Sequence, residues 1–159
     1  MKTLVTYFSA SGVTERVAKD LAVVTGADLY EIAPAVRYTK ADLNWMNPNS
    51  RSSVEMKDKS SRPELANKDA KIENYDVIYI GFPIWWYIAP TIINTFLEAY
   101  DFAGKTIVLF ATSGSSGFGE TVQYLKDSVD SSTKIIEGAI LNRRPSQEKI
   151  KEWVDGLRI

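Results

Sequence analysis

The chain has 159 residues, a formal net charge of −1, and 45% hydrophobic and 25% charged residues, the balance of one ordinary domain with a full core. It contains no Cys and no His, which excludes disulfides, thiolate metal sites, iron–sulfur clusters, a Cys nucleophile, the Ser–His–Asp triad and any imidazole base. The near-zero charge carries no footprint of a nucleic-acid or membrane-surface binder, so any chemistry must come from hydroxyls, amides, aromatics, carboxylates or a bound cofactor.

The apolar run Leu4 to Phe8 is too short for a signal-peptide core and no cleavage pattern follows it, so a cytoplasmic location is expected. Thr3 to Phe8 is rich in β-branched and aromatic residues and predicts a first strand. It runs into Ser9-Ala10-Ser11-Gly12. Val13, Val17 and Leu21 then fall on one helical face opposite Glu15, Arg16, Lys19 and Asp20, and Gly26 closes the helix. Ala27 to Ile32 predicts a second strand, which completes one βαβ unit.

The segment at about 33–74 is polar, mixed in charge and marked by Pro34, Pro48 and Pro63. It is long for a crossover, so it should carry some short helix of its own or lie over the surface. Composition alone leaves two readings open, a tolerated surface insertion and a functional lid.

No residue between Asp76 and Glu98 is charged, a length that suggests a membrane span. Gly81, Pro83 and Pro90 break it, so the expected reading is a buried strand from Tyr75 to Phe82, a turn and a buried helix. Pro90 fits the first turn of that helix, where its missing N–H costs nothing, and Ile92, Ile93, Phe96, Leu97 and Tyr100 follow helical spacing. Thr106 to Ala111 predicts a fourth strand, about 120–129 a helix, and Lys134 to Ile140 a fifth strand. A last helix starts near Pro145-Ser146, with Ile150, Trp153, Val154 and Leu157 on one face. Strands alternating with helices argue an α/β fold with a doubly wound parallel sheet. Such sheets bind ligands beyond the carboxyl ends of their strands, and the unusual residues lie just after the first, third and fourth.

The first of these loops is Ser9, Ala10, Ser11, Gly12, Val13 and Thr14. Three hydroxyls, a glycine and the free N–H groups of a helix start suit a phosphate. The loop has no Lys or Arg, and neither the Gly-Lys ending of a P-loop nor GxGxxG is present. The phosphate of a held cofactor therefore fits better than a triphosphate undergoing transfer. The second loop carries Pro83, Ile84, Trp85, Trp86 and Tyr87. Adjacent side chains of an extended segment cannot all enter one core, so at least one aromatic should meet a partner such as a flat ring. The third loop, from Thr112 and Ser113 through Gly114 and Gly117 to Gly119, has a backbone able to approach a ring edge and pair with its heteroatoms.

These three loops, in this order, resemble those of the flavodoxin family, and the resemblance covers essentially the whole chain. Ser9-Ala10-Ser11-Gly12-Val13-Thr14 looks like the family's phosphate loop. Gly81-Phe82-Pro83-Ile84-Trp85-Trp86 resembles the flavin-stacking loop of a subgroup with Pro-Ile-Trp-Trp, and Thr112 to Gly119 resembles the loop bordering the isoalloxazine edge. The resemblance implies a single five-stranded domain over 1–159, strand order 2-1-3-4-5, and FMN as cofactor. It implies that these residues bind FMN, with no catalytic residue and no metal. Two features differ from electron-carrier flavodoxins, which are strongly acidic and have a shorter second crossover.

The expected function is low-potential electron transfer between redox partner proteins, a reductase and an acceptor, with no nucleic-acid or membrane partner. A ring site with no nearby Lys or Arg would disfavour an anionic reduced flavin. The alternative is an FMN-dependent NAD(P)H:quinone or nitro reductase, for which Tyr38-Thr39-Lys40 and Asn44-Trp45-Met46-Asn47 are candidates to line the pocket. A flavin-free phosphoacceptor domain of the same fold would need acidic residues where Ser9 and Ser11 stand.

Overall fold

The structure, a computed structural model, describes residues 2–113 and 116–159. In chain order the elements are β1 (Thr3–Tyr7), α1 (Val13–Thr25), β2 (Asp28–Glu31), α2 (Arg51–Lys57), a 3₁₀ turn (Ile72–Asn74), β3 (Val77–Pro83), α3 (Thr91–Ala99), β4 (Thr106–Thr112), α4 (Thr121–Lys126), β5 (Lys134–Ile140) and α5 (Gln147–Leu157). The strands form one parallel sheet in the order β2-β1-β3-β4-β5, as expected. From β1 the chain goes to one side for β2 and to the other for β3, β4 and β5. The topological switch, where such sheets bind ligands, therefore lies at the carboxyl ends of β1 and β3.

The period of two along each strand sorts side chains to the two faces. Leu4, Phe8, Ile78, Ile80, Phe82, Ile107 and Leu109 pack with α3, α4 and the crossover. Val5, Tyr7, Tyr79, Val108 and Phe110 pack with Val17 and Leu21 of α1 and Ile150 of α5. Both faces of β3 and β4 are buried, which is why these strands read as unbroken apolar runs. The uncharged stretch after Asp76 folds as β3, a turn and α3. Among the described residues no helix is long and apolar enough to cross a membrane.

The 33–74 crossover is part of the core wall, not a loose insertion. Pro34 bridges Leu65, the Ala35 amide donates to the Glu64 carbonyl at 2.8 Å, and Met56, Leu65, Ala70 and Ile72 are buried. Arg62 grips Glu98 of α3 with two bonds of 3.0 and 3.1 Å, and the Ser61 and Thr91 hydroxyls meet at 2.8 Å. The guanidinium holds the Glu98 carboxyl below its ordinary value. The Ser50 hydroxyl caps α2 by accepting from the Ser53 amide.

Strand ends shift by one or two residues, and three helix boundaries differ from the sequence reading. Pro90 is the N-cap of α3 and precedes its first turn, with ψ at 146°. Helix α3 ends at Ala99, and Tyr100 leaves it as an extended C-cap. Helix α4 ends at Lys126, where the Asn94 side chain donates to the Ser128 hydroxyl at 3.0 Å and holds the chain in a turn.

Candidate functional site

The carboxyl ends of β1, β3 and β4 bring the three loops together. In the first, Gly12 adopts φ 92°, the left-handed region that a side chain resists. Its amide donates to the Ser9 hydroxyl at 3.0 Å, which folds the loop into a concave turn at the start of α1. Ser9 accepts in that bond and keeps its own proton to donate. Gly12 is the N-cap and has no side chain, so nothing of its own covers the first-turn amides of α1. Ser9 and Ala10 are half-buried, Ser11 and Val13 exposed, and Thr14 buried. Glu15, the acid of that first turn, is turned to the Tyr7 hydroxyl at 2.9 Å and faces Lys19 at 3.7 Å. The cradle thus joins hydroxyl and amide donors to the positive end of a helix dipole, the equipment for an oxyanion.

Thr14 also links two loops. Its hydroxyl lies 2.8 Å from that of Thr112, the last residue of β4, and both are buried. If Thr112 donates, the Thr14 proton remains available to a ligand. The third loop is held at several points. The Ser113 amide donates to the Asn142 side chain at 2.8 Å, the Ser116 amide donates to the Ser113 hydroxyl at 2.9 Å, and Phe118 is buried edge-on against Phe82. Gly117 and Gly119 are exposed. Gly114 lies outside the described residues.

The second loop is anchored at its start, where the Ile84 amide donates to the Thr112 carbonyl at 2.9 Å. The next four residues form a tight turn. Trp85 and Ile88 exchange two backbone hydrogen bonds of 3.0 and 3.2 Å, with Trp86 at φ 49° and Tyr87 at φ 68°. This is the type I′ geometry, in which Asn-Gly is the favoured central pair. Two bulky aromatics there cost roughly 1–2 kcal/mol each. Trp86 and Tyr87 are 45% and 67% exposed, so their own burial offsets little of that cost. Strain kept at two exposed aromatics points to a ligand.

The three aromatics divide their tasks. Trp85 is half-buried and meets Phe8 and Tyr38 edge-on at 5.7 and 5.5 Å. Trp86 and Tyr87 face outward. A cavity of about 570 Å³ opens beside them, walled by the crossover and the start of α4. Lys57 and Lys59 stand in that wall, so the surroundings of the aromatic turn are not free of cations, contrary to the expectation from the loops alone.

Tyr38 carries the support of Trp85 further. Its hydroxyl donates to the Glu55 carboxylate, and the Arg51 guanidinium lies 3.7 Å from its ring centre. Arg51 also binds Glu55 at 3.0 Å and donates to the Val36 carbonyl at 2.6 Å. Burial first, then the Glu55 bond, pushes the Tyr38 phenol far above its ordinary value and keeps it protonated. Sequence reasoning missed Phe8, Glu55, Arg51 and Asn142 as supports of the site. The Arg51–Glu55 spacing of i,i+4 was the one local signal available.

The family model described as Flavodoxin matches residues 2–157. The chain is 48% identical to a provisionally assigned flavoprotein from Bacteroides eggerthii, over 99% of this chain and 98% of that one, with a TM-score of 0.89. It is 50% identical to a second such protein from Bacteroides uniformis, over 97% of each chain, with a TM-score of 0.88. A flavoprotein from Lactobacillus acidophilus, solved in complex with FMN, shares the fold at 21% identity and a TM-score of 0.69, over 96% of this chain and 98% of that one. No functionally curated protein matches significantly. With the family matched from the first strand to the last helix, and the fold and loop positions in agreement, the chain belongs to the flavodoxin family.

Proposed function

We propose that the protein binds one FMN and passes electrons through it between redox partner proteins. The observation that carries this reading is the meeting, at the carboxyl end of the sheet, of the Gly12 cradle with a strained turn offering two exposed aromatics. The residues present fit the group. Ser9, Ser11, Thr14 and the amides around Gly12 suit its phosphate. Trp86 and Tyr87 suit its ring, and the backbone of Thr112, Ser113, Gly117 and Gly119 suits the ring edge. The FMN complex of the Lactobacillus acidophilus protein supports the choice of cofactor. FMN supplies the electron chemistry when bound, while the chain binds it, orients it and sets its surroundings.

Trp86 is the first candidate to stack on the ring. Trp86→Ala should weaken FMN binding and raise the emission of what remains bound, because stacking quenches flavin fluorescence. Trp85→Ala should act indirectly, by freeing Tyr38 and Phe8, and lower the melting temperature as well. If both variants keep wild-type affinity and emission, the loop is structural only.

A second reading, a reductase acting on a small molecule, is favoured by the cavity beside Trp86 and Tyr87. Addition of NADH or NADPH to the FMN-loaded protein, alone and then with a quinone, separates the two. The carrier reading expects no turnover without a second protein. Rapid turnover of the isolated protein would replace it with the reductase reading.

A further inference from the structure

Helix α1 carries an acid in the turn that forms the phosphate cradle. With Gly12 as N-cap, Glu15 is the third residue of the helix. A glutamate at that position commonly folds back on the N-cap amide and closes the helix start, as in the capping box. Here it does not. The Gly12 amide donates to the Ser9 hydroxyl at 3.0 Å. Among the described residues no group accepts from the amides of Val13, Thr14 or Glu15. The Glu15 carboxylate is drawn off to Tyr7, the last residue of β1, whose hydroxyl donates to it at 2.9 Å.

Tyr7 is the stronger of the two restraints on that carboxylate. Lys19 lies 3.7 Å from it, but its side chain is 60% exposed, and an exposed i,i+4 pair holds a geometry only weakly. Tyr7 is buried, with its ring in the core that packs against α1, so its hydroxyl is a fixed anchor. The other acid beside Tyr7, Glu31, is taken by Arg37 through two bonds of 2.8 and 3.4 Å, which leaves Glu15 as the acceptor. Burial first, then the Glu15 bond, raises the Tyr7 phenol far above its ordinary value, so the proton of that bond is kept. A carboxylate released from Tyr7 would compete with a phosphate for the first-turn amides, and its charge would repel the phosphate.

We propose that Tyr7 is a positioning residue for the cofactor phosphate: by holding the Glu15 carboxylate against the end of β1, it keeps the free amides of α1 open to the anion. The proposal deepens the flavin reading and rests on it for the identity of the ligand.

The test is a double-mutant cycle on Tyr7 and Glu15 in the full chain, read by titration of the flavin-free protein with FMN and, separately, with riboflavin. Tyr7→Phe keeps the ring and its packing, so it should fold. It should weaken FMN about fivefold and leave riboflavin unchanged. Glu15→Ala should bind FMN at least as tightly as wild type, and Tyr7→Phe made in that background should cost nothing further. The last result separates positioning from packing, because a packing loss would persist without Glu15. Three results would overturn the proposal. They are unchanged FMN affinity in Tyr7→Phe, parallel losses of FMN and riboflavin, or an equal loss of FMN with and without Glu15. Failure of wild type to bind FMN would overturn the flavin reading and this proposal with it, whereas any of the three results in a wild type that binds FMN overturns the proposal alone.

Discussion

Thr14→Val should lower FMN affinity roughly ten- to a hundred-fold and leave riboflavin binding nearly unchanged. A hydroxyl bonded to a charged group is worth about 1.5–3 kcal/mol, and 1.4 kcal/mol is one decade of affinity. Riboflavin lacks the phosphate and should not register the loss. The structure adds a control. The Thr14 hydroxyl is paired at 2.8 Å with that of Thr112, so Thr14→Val also cuts the tie between the first and third loops. Thr112→Val cuts the same tie and leaves Thr14 in place, so it should cost FMN affinity less than Thr14→Val does. Equal losses for FMN and riboflavin in Thr14→Val would show that Thr14 acts by holding the loops together and not by binding phosphate.

Gly119→Ala should disrupt the site from the other side. Gly119 sits at φ 54°, and a Cβ there would lie 2.3 Å from the Tyr87 carbonyl oxygen. Since that neighbour is backbone, the loop or the aromatic turn must move. Overpacking of this kind costs about 1–3 kcal/mol, in addition to the left-handed backbone penalty. The expected result is a melting temperature lower by several degrees and an FMN affinity reduced about tenfold. Gly104→Ala is the matched control. Gly104 has φ 74° with nothing within 4 Å of its Cβ position. It should show the backbone penalty alone and bind FMN normally. If the two variants behave alike, the contact between Gly119 and Tyr87 has no part in the site.

Much of the fold was legible because it is written locally. The strands covered on both faces, β3 and β4, appear as apolar runs such as Val77 to Phe82. The alternation of strands with amphipathic helices leaves few topologies open. The three loops were legible for the same reason, each lying directly after a strand.

What escaped depends on contacts across long separations or on broken local rules. The pairing of Thr14 with Thr112 spans 98 positions. The crossover looked like a surface segment because only tertiary contacts, Arg62 with Glu98 and Pro34 with Leu65, turn it into a wall. No turn rule assigns φ of 49° and 68° to Trp-Tyr. Sequence patterns tend to fail where function overrides local preference. Pro90 was displaced by one position because proline suits both the N-cap and the first helical residue sterically, and packing chooses between them.

The most direct test of the account is the visible absorption spectrum of the purified protein, followed by identification of the flavin released on heating. The account predicts a yellow protein holding one FMN per chain, with bound flavin less fluorescent than free. A colourless preparation that also fails to bind added FMN at micromolar concentration would contradict it.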